Sequence, residues 1–222
     1  MQSNTANTFL IRLDTDRSKY LELHSYEIDR ISDIIARLIS KNFRFDSLGV
    51  ASKFDELMKL CAEYDEAKTK VSDEVVIPAA TEKWGKYSNM AWILNFSTCD
   101  ITVTLNGNIY QKKYEDIAEA SDETIETLKS AAIKNLAFIE VHDKIIQQYP
   151  TIDTDSYKEF IDAMEASDKL YVDTKNQVNA EYVQQYLDDN NLSADRCQWN
   201  LNYTTKKIDL YETVSSAAEA EA

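Results

Sequence analysis

The sequence contains few of the residues that build tight catalytic loops. Its 222 residues include 3 glycines and 2 prolines, whereas a soluble protein usually has about 7% glycine and 5% proline. Three scattered glycines cannot form a GxGxxG turn, a P-loop or a GxSxG nucleophile elbow, because these loops need glycine at fixed positions. The sequence therefore predicts none of these sites and favours long helices joined by short connections.

Cysteine and histidine are also scarce. Cys61, Cys99 and Cys197 form no CxxC pair, and His24 and His142 are far apart in the sequence. This spacing does not fit a zinc site, and unpaired cysteines are typical of reduced thiols. We therefore predict no metal, no cofactor, and a reducing cytoplasmic location or incorporation into an assembled particle.

Two Asp-Thr-Asp triplets, at residues 14–16 and 153–155, resemble the start of a calcium loop. An EF-hand loop also requires glycine at its sixth position and glutamate at its twelfth. After Asp14 these positions hold Lys19 and Ser25. We therefore interpret both triplets as helix N-caps, whose side chains accept backbone N–H groups of the first turn.

Positive charge is in the minority. The chain has 24 Lys and Arg against 39 Asp and Glu, which gives a net charge of −15. Such a chain repels phosphate, so direct nucleic-acid binding is not expected. The polar N-terminus lacks the apolar core of a signal peptide, and no apolar run approaches the roughly 18 residues of a membrane span. We therefore predict no membrane association and a protein partner, either a basic protein or a second copy of this chain.

One segment of the chain recurs in altered form. Residues 92–103, WILNFSTCDITV, return as residues 199–210, WNLNYTTKKIDL. At this offset of 107 residues there are ten identities between residues 64 and 103 and their counterparts. A repeat this long indicates a duplicated half, because solenoid units recur at about 20–50 residues. The predicted organisation is a first helical/hairpin repeat at 1–111, a second at 112–213, and an acidic tail at 214–222.

Apolar periodicity predicts a mostly helical α+β protein. Spacings of three and four residues predict helices from the triplet at 14–16 to about 41, from 48 to 70, from 72 onwards, from 122 to 149, after the triplet at 153–155, and from 179 to 191. Alternation predicts one hairpin at 90–96 and 101–105, a second at 199–203 and 208–212, and a short strand at 9–13.

The two hairpins are expected to join into one sheet, because an isolated hairpin is only marginally stable. Asn106-Gly107 predicts a turn, after which 109–111 returns as a third strand. The charged residues 112–122 are interpreted as the boundary between the repeats. The predicted fold is thus two similar halves, each with helices packed on a short antiparallel β-hairpin.

Aromatic residues are the main candidates for partner contacts. The chain has 13 tyrosines and 3 tryptophans, and aromatic anchors contribute much of the binding energy at interfaces. Trp92 and Trp199 begin strands that face helices, so we assign them to the core. The predicted partner-contact residues are Tyr87, Tyr110, Tyr182 and Tyr186.

These features favour a non-enzymatic protein–protein interaction or assembly protein, such as a structural or accessory component of a phage particle or other large complex. No catalytic residue is predicted. One alternative is an acidic mimic of nucleic acid that inhibits a DNA- or RNA-binding protein, which requires negative charge gathered on one face. Another is an enzyme with carboxylate or metal chemistry in a cleft between the halves, which requires Asp and Glu buried together.

Overall fold

Long amphipathic segments form most of the chain. A computed structural model describes residues 7–85, 88–109, 112–203 and 205–213. The α-helices are α1 (Thr15–Ser40), α2 (Leu48–Val71), α3 (Ile77–Trp84), α4 (Asp122–Gln148), α5 (Asp155–Val178) and α6 (Gln184–Asp189). The strands are β1 (Thr8–Arg12), β2 (Ser88–Asn95), β3 (Asp100–Ile109), β4 (Lys112–Glu119), β5 (Cys197–Leu201) and β6 (Lys207–Glu212). The prediction of a mostly helical α+β protein is confirmed.

Side-chain caps fix where three of the helices begin. Asp14 accepts the backbone N–H of Arg17 at 2.9 Å and caps α1, as predicted. In the second triplet the cap is the middle residue, because Thr154 Oγ1 accepts the N–H of Tyr157 at 3.2 Å. Ser121 caps α4 by accepting the N–H of Thr124 at 3.2 Å.

Two π-helical segments continue the long helices. Ser72–Val76 joins α2 to α3, and Asn179–Val183 joins α5 to α6. In the first, Ile77 donates its N–H to the carbonyl of Ser72. In the second, Gln184 donates its N–H to the carbonyl of Asn179. Both are the i→i+5 bonds that define a π-turn.

Contacts divide the chain into two compact units. The first contains the described residues of 1–18, 70–125 and 176–222, and the second contains 19–69 and 126–175. Each unit takes segments from both sequence halves. The boundaries of the compact units therefore differ from those of the two sequence halves.

The second unit has a helical core. Phe138 and Phe160 are fully buried, and their ring centroids lie 5.3 Å apart at an angle of 68°. Phe45 and Phe54 pack against the same cluster. Each fully buried aromatic side chain contributes about 1.5–3 kcal/mol to folding, so this cluster is a main source of stability for the unit.

The first unit contains two separate three-stranded antiparallel sheets. We call them sheet A, with the order β1-β3-β2, and sheet B, with the order β4-β6-β5. The expectation that the two hairpins share one sheet is wrong for the described residues. Each hairpin instead gains a third strand, β1 or β4, from the residues that precede the first long helix of its half. A third strand stabilises a hairpin, so the physical reason for joining the hairpins disappears.

Strand β4 lies in the segment that composition suggested was a boundary. It pairs with β6, and Tyr114 lies opposite Leu210 while Ala118 lies opposite Ile208. These apolar positions are separated by a register shift, which hides the period-two pattern in the sequence. Cross-strand packing therefore outweighs the low strand propensity of the charged residues.

The turn predicted at Asn106-Gly107 is wrong. Strand β3 runs without interruption from Asp100 to Ile109, and its last residue pairs with Ser88 of β2. Strand β2 extends back to Ser88 and therefore pairs with the end of β3. In place of a turn at Asn106-Gly107, the pairing of the two strands has a register shift between Ser88 and Met90. Residues 110 and 111 lie outside the described residues.

Candidate interaction surface

The outer face of sheet A follows from the alternation of β3. Ile101 and Val103 are fully buried, so they face the protein interior. Successive side chains of a strand point to opposite faces. Thr102 and Thr104 therefore lie on the other face of the sheet.

An apolar row crosses this outer face. Leu10 of β1 and Ile93 of β2 both lie opposite Thr102 of β3, and directly opposed residues share a face. Leu10 is 67% exposed and Ile93 is 75% exposed. Single exposed apolar side chains are ordinary, but these two lie in one row of the same face, on either side of Thr102.

Two further rows lie on the outer face. Thr104 lies between Thr8 and Ala91, and Asp100 lies between Arg12 and Asn95. Over the paired residues 8–12, 91–95 and 100–104, the outer face of sheet A therefore contains nine residues: Thr8, Leu10, Arg12, Ala91, Ile93, Asn95, Asp100, Thr102 and Thr104. Arg12 and Asp100 are the charged residues among these nine, and they are opposed. This face is neutral overall in a chain whose net charge is −15.

The corresponding face of sheet B is occupied by paired charges. Lys113 Nζ lies 2.7 Å from Asp209 Oδ2, and the two side chains are only 17% and 18% exposed. Partial burial alone would lower the pKa of Lys113, but the hydrogen bond to Asp209 and the proximity of Tyr211 raise that pKa above its ordinary value. Nearby, Lys207 pairs with Asp116 at 2.5 Å. These charges of sheet B are therefore paired with one another, whereas Leu10 and Ile93 of sheet A are exposed to solvent.

Strand β2 forms one edge of sheet A among the described residues. Its eight residues, SNMAWILN, include no charged residue and no proline, although these are the usual devices that protect an edge from strand addition. Leu94 of β2 is half-buried, whereas Ile101, its partner on β3, is fully buried. The side of the sheet at β2 is therefore more open to solvent than its centre.

The structure places two of the four predicted tyrosines. Tyr182 and Tyr186 are half-buried on the second π-helical segment and α6, and the Tyr186 ring packs edge-on against Tyr114 with centroids 5.9 Å apart. They lie on one continuous helix and not on sheet A. Tyr87 and Tyr110, the other two predicted contact residues, lie outside the described residues.

The residues of the apolar row escaped the sequence analysis. Alternation places Trp92 and Leu94 on one face of β2, which leaves Ile93 as an apolar residue on the other face, and this signal was present in the sequence. Leu10 had no such signal, because its position depends on the distant pairing of β1 with β3. Trp92 and Trp199, assigned to the core, are half-buried.

Titratable groups form no deep cluster in the described part of the chain. No Asp or Glu there is buried, and no group of three or more His, Cys, Asp or Glu could hold a metal ion there. His24 ties α1 to α2: its Nδ1 lies 2.9 Å from the carbonyl of Tyr20, and its Nε2 lies 3.3 Å from Glu63 Oε2. Across the described helices, none has both the length and the apolar character required to cross a bilayer.

Comparison with protein-family models, with curated proteins and with solved structures found no match to this chain. The geometry and charge of the outer face of sheet A make it the candidate interaction surface.

Proposed function

We propose that the protein is a non-enzymatic interaction or assembly protein, which binds a protein partner through the outer face of sheet A and the adjoining β2 edge. The observation that carries this proposal is the row formed by Leu10, Thr102 and Ile93. Removing an exposed Leu or Ile side chain from water contributes about 1.5–3 kcal/mol. Two such side chains on a neutral, nearly uncharged face provide the centre of a contact.

The concrete form of this function is a structural or accessory component of a large complex, such as a phage particle. An uncharged sheet edge supports this form, because strand addition joins chains through backbone hydrogen bonds while side chains on the adjacent faces provide specificity. The same edge without such a partner would be exposed to aggregation.

A double variant, Leu10→Thr with Ile93→Asn, tests the proposal. Asn is suitable because it is the residue at position 200, the counterpart of Ile93 at an offset of 107, and Asn200 is exposed on β5. The matched control is Leu48→Asn, since Leu48 is 86% exposed and lies on α2.

Wild type and control should capture the same partner, in defined stoichiometry by light scattering, and the double variant should lose it. All three proteins should show the same circular dichroism and Tm. Equal capture by all three would refute the assignment of this face.

We also propose that the halves 1–111 and 112–213 arose by internal duplication. The order strand, two helices, π-segment, helix and two strands occurs in both halves, and the strand orders of sheets A and B correspond. The two π-helical segments are related by the same offset of 107 residues as Trp92 and Trp199.

The turns that connect the paired strands support the duplication in detail. Asn95 Oδ1 accepts the N–H of Thr98 at 3.3 Å, and Asn202 Oδ1 accepts the N–H of Thr205 at 2.9 Å. Cys99 and Lys206 both have a positive φ, of 58° and 62°.

A backbone hydrogen bond to each of these positive-φ residues is repeated as well. Leu13 donates its N–H to the carbonyl of Cys99, and Ala120 donates its N–H to that of Lys206, both at 2.8 Å. Each pair of counterparts is again separated by 107 residues.

A further inference from the structure

We infer that the partner of the β2 edge is a second copy of this chain, whose own β2 pairs antiparallel with the first. The two copies of sheet A then form one continuous six-stranded sheet. This inference rests on the proposed role of sheet A and adds the identity of the partner.

Charge restricts where two copies can meet. Each copy carries a net charge of −15, and close approach of like charges is unfavourable unless the contacting surface is neutral. Strand β2 has no charged residue, and the outer face beside it carries one opposed pair, Arg12 and Asp100. If the partner were basic, acidic residues along β2 would be expected to match it, and β2 has none.

The other edge strands fit self-pairing less well. A two-fold axis brings identical strands together, so charges near the axis face their own copies. Strand β1 has five residues and includes Arg12, and β4 carries five charged residues among eight. Strand β5 is uncharged but has only five residues. Among the described edges, β2 therefore offers the longest uncharged pairing.

The side chains of β2 also suit a two-fold pairing. Ala91, Ile93 and Asn95 face outward, whereas Trp92 and Leu94 face inward. An antiparallel pairing that keeps the faces aligned places outward residues next to outward residues. When the two-fold axis passes beside Ile93, Ile93 of one copy lies opposite Ile93 of the other, which joins the two apolar rows and also covers both copies of the half-buried Leu94.

The expected affinity is modest. A single eight-residue edge and one apolar row provide less than the roughly 800 Å² per partner that stable interfaces bury. We therefore expect a reversible monomer–dimer equilibrium with a Kd of about 1–100 µM. Added salt should tighten it, because salt screens the repulsion between the acidic copies.

Charge exchange at Ile93 tests the inference in the full chain by sedimentation velocity. Wild type and Leu48→Asn should dimerise across this concentration range. Ile93→Lys and Ile93→Glu should each be monomeric, because each places like charges at the two-fold contact. An equimolar mixture of the two should recover the dimer through opposite charges. The 75% exposure of Ile93 leaves the fold of both variants intact, and equal Tm values would verify this.

The remaining outcomes separate this inference from the proposed function. A monomeric wild type at every concentration, or a dimer unaffected by Ile93→Lys, would overturn self-pairing through β2. If the double variant Leu10→Thr with Ile93→Asn still loses a different captured partner, the interaction role of sheet A stands without self-pairing. If it loses none, both proposals fail.

Discussion

At the scale of single residues, the protein illustrates how burial controls side-chain chemistry. Cys61 lies on α2 in the core of the second unit and is 4% exposed. Burial, with smaller contributions from Glu140 and Asp65, raises the pKa of its thiol to about 12. Because the thiolate is the reactive form, this cysteine is protected both sterically and electrostatically.

We expect Ellman's reagent at about pH 8 to label Cys99 and Cys197 in the native protein and to label Cys61 only after unfolding. Cys99 and Cys197 are half-buried. Cys197 should react more slowly than a free thiol, because partial burial and Glu212 raise its pKa. Variants with one cysteine each would assign the phases, and native labelling of Cys61 at the same rate as Cys99 would contradict the prediction.

Glu140 is expected to make the stability of the fold depend on pH. Although Glu140 lies on the exposed surface of α4, partial loss of hydration raises the pKa of its carboxyl, and Asp143 and Asp29 raise that pKa further, while Lys144 lowers it. The folded state therefore holds a proton at Glu140 more tightly than the unfolded state does. The contribution of Glu140 to stability is therefore present at low pH. It decreases as the pH rises from the ordinary pKa of Glu, which applies to the unfolded state, towards the raised pKa of the folded state.

Glu140→Gln should consequently increase Tm slightly at neutral pH, because solvent screens this exposed site, and the increase should vanish at about pH 4, below the ordinary pKa of Glu. Thermal melts from acidic to neutral pH would measure it. Glu126→Gln, at another exposed position of the same helix, serves as the control. An equal effect of both substitutions would show that general charge reduction, and not the surroundings of Glu140, is responsible.

At the scale of elements, the π-helical segments explain how two valines five residues apart can both be buried. Val71 and Val76 are 2% and 0% exposed, and Val178 and Val183 are each 1% exposed. In an α-helix, residues five apart differ by about 140° around the axis. An i→i+5 turn brings them close to the same face, so the π-segment lets both valines of each pair be buried.

Val76→Ala and Val183→Ala should each reduce the free energy of unfolding by about 1–3 kcal/mol, since each removes buried methyl groups. Val172→Ala on α5 is the matched control, because Val172 is 43% exposed, and its effect should stay within about 0.5 kcal/mol. Urea titration would measure all three. Equal losses at Val76 and Val172 would contradict the buried role of the π-segment.

The elements also show what the sequence could predict. Periodicity located the long helices, and alternation located both hairpins, because these signals are local. The charged strand β4 and the assembly of two separate sheets depend on pairing between distant residues, such as Thr8 with Thr104. Within the candidate interaction surface, Ile93 follows from the local pattern of β2, but its proximity to Leu10 does not.

At the scale of the whole molecule, the proposed duplication predicts that equivalent turns are interchangeable. Phe96→Tyr, Ser97→Thr and Cys99→Lys would convert the first turn into the second. The asparagine cap and the positive φ position recur in both turns, so the variant should keep its circular dichroism and lose less than about 1 kcal/mol.

Chemical denaturation would measure the stability of the exchanged variant. Asn95→Ala, which removes the side-chain acceptor of this turn, is the contrasting substitution and should cost about 1 kcal/mol. A larger loss from the exchange than from Asn95→Ala would argue against equivalent turns.

The order of strands along the chain has a consequence for synthesis. Every strand of sheet A precedes residue 110, whereas sheet B requires β6, Lys207–Glu212. The ribosome therefore releases the complete set of sheet A strands while the second half is still being translated. Pairing of β1 with β3 joins residues that are far apart in the sequence, and it is therefore a slow step. Neighbouring ribosomes on one message would then hold several nascent β2 edges close together before any finished protein is released.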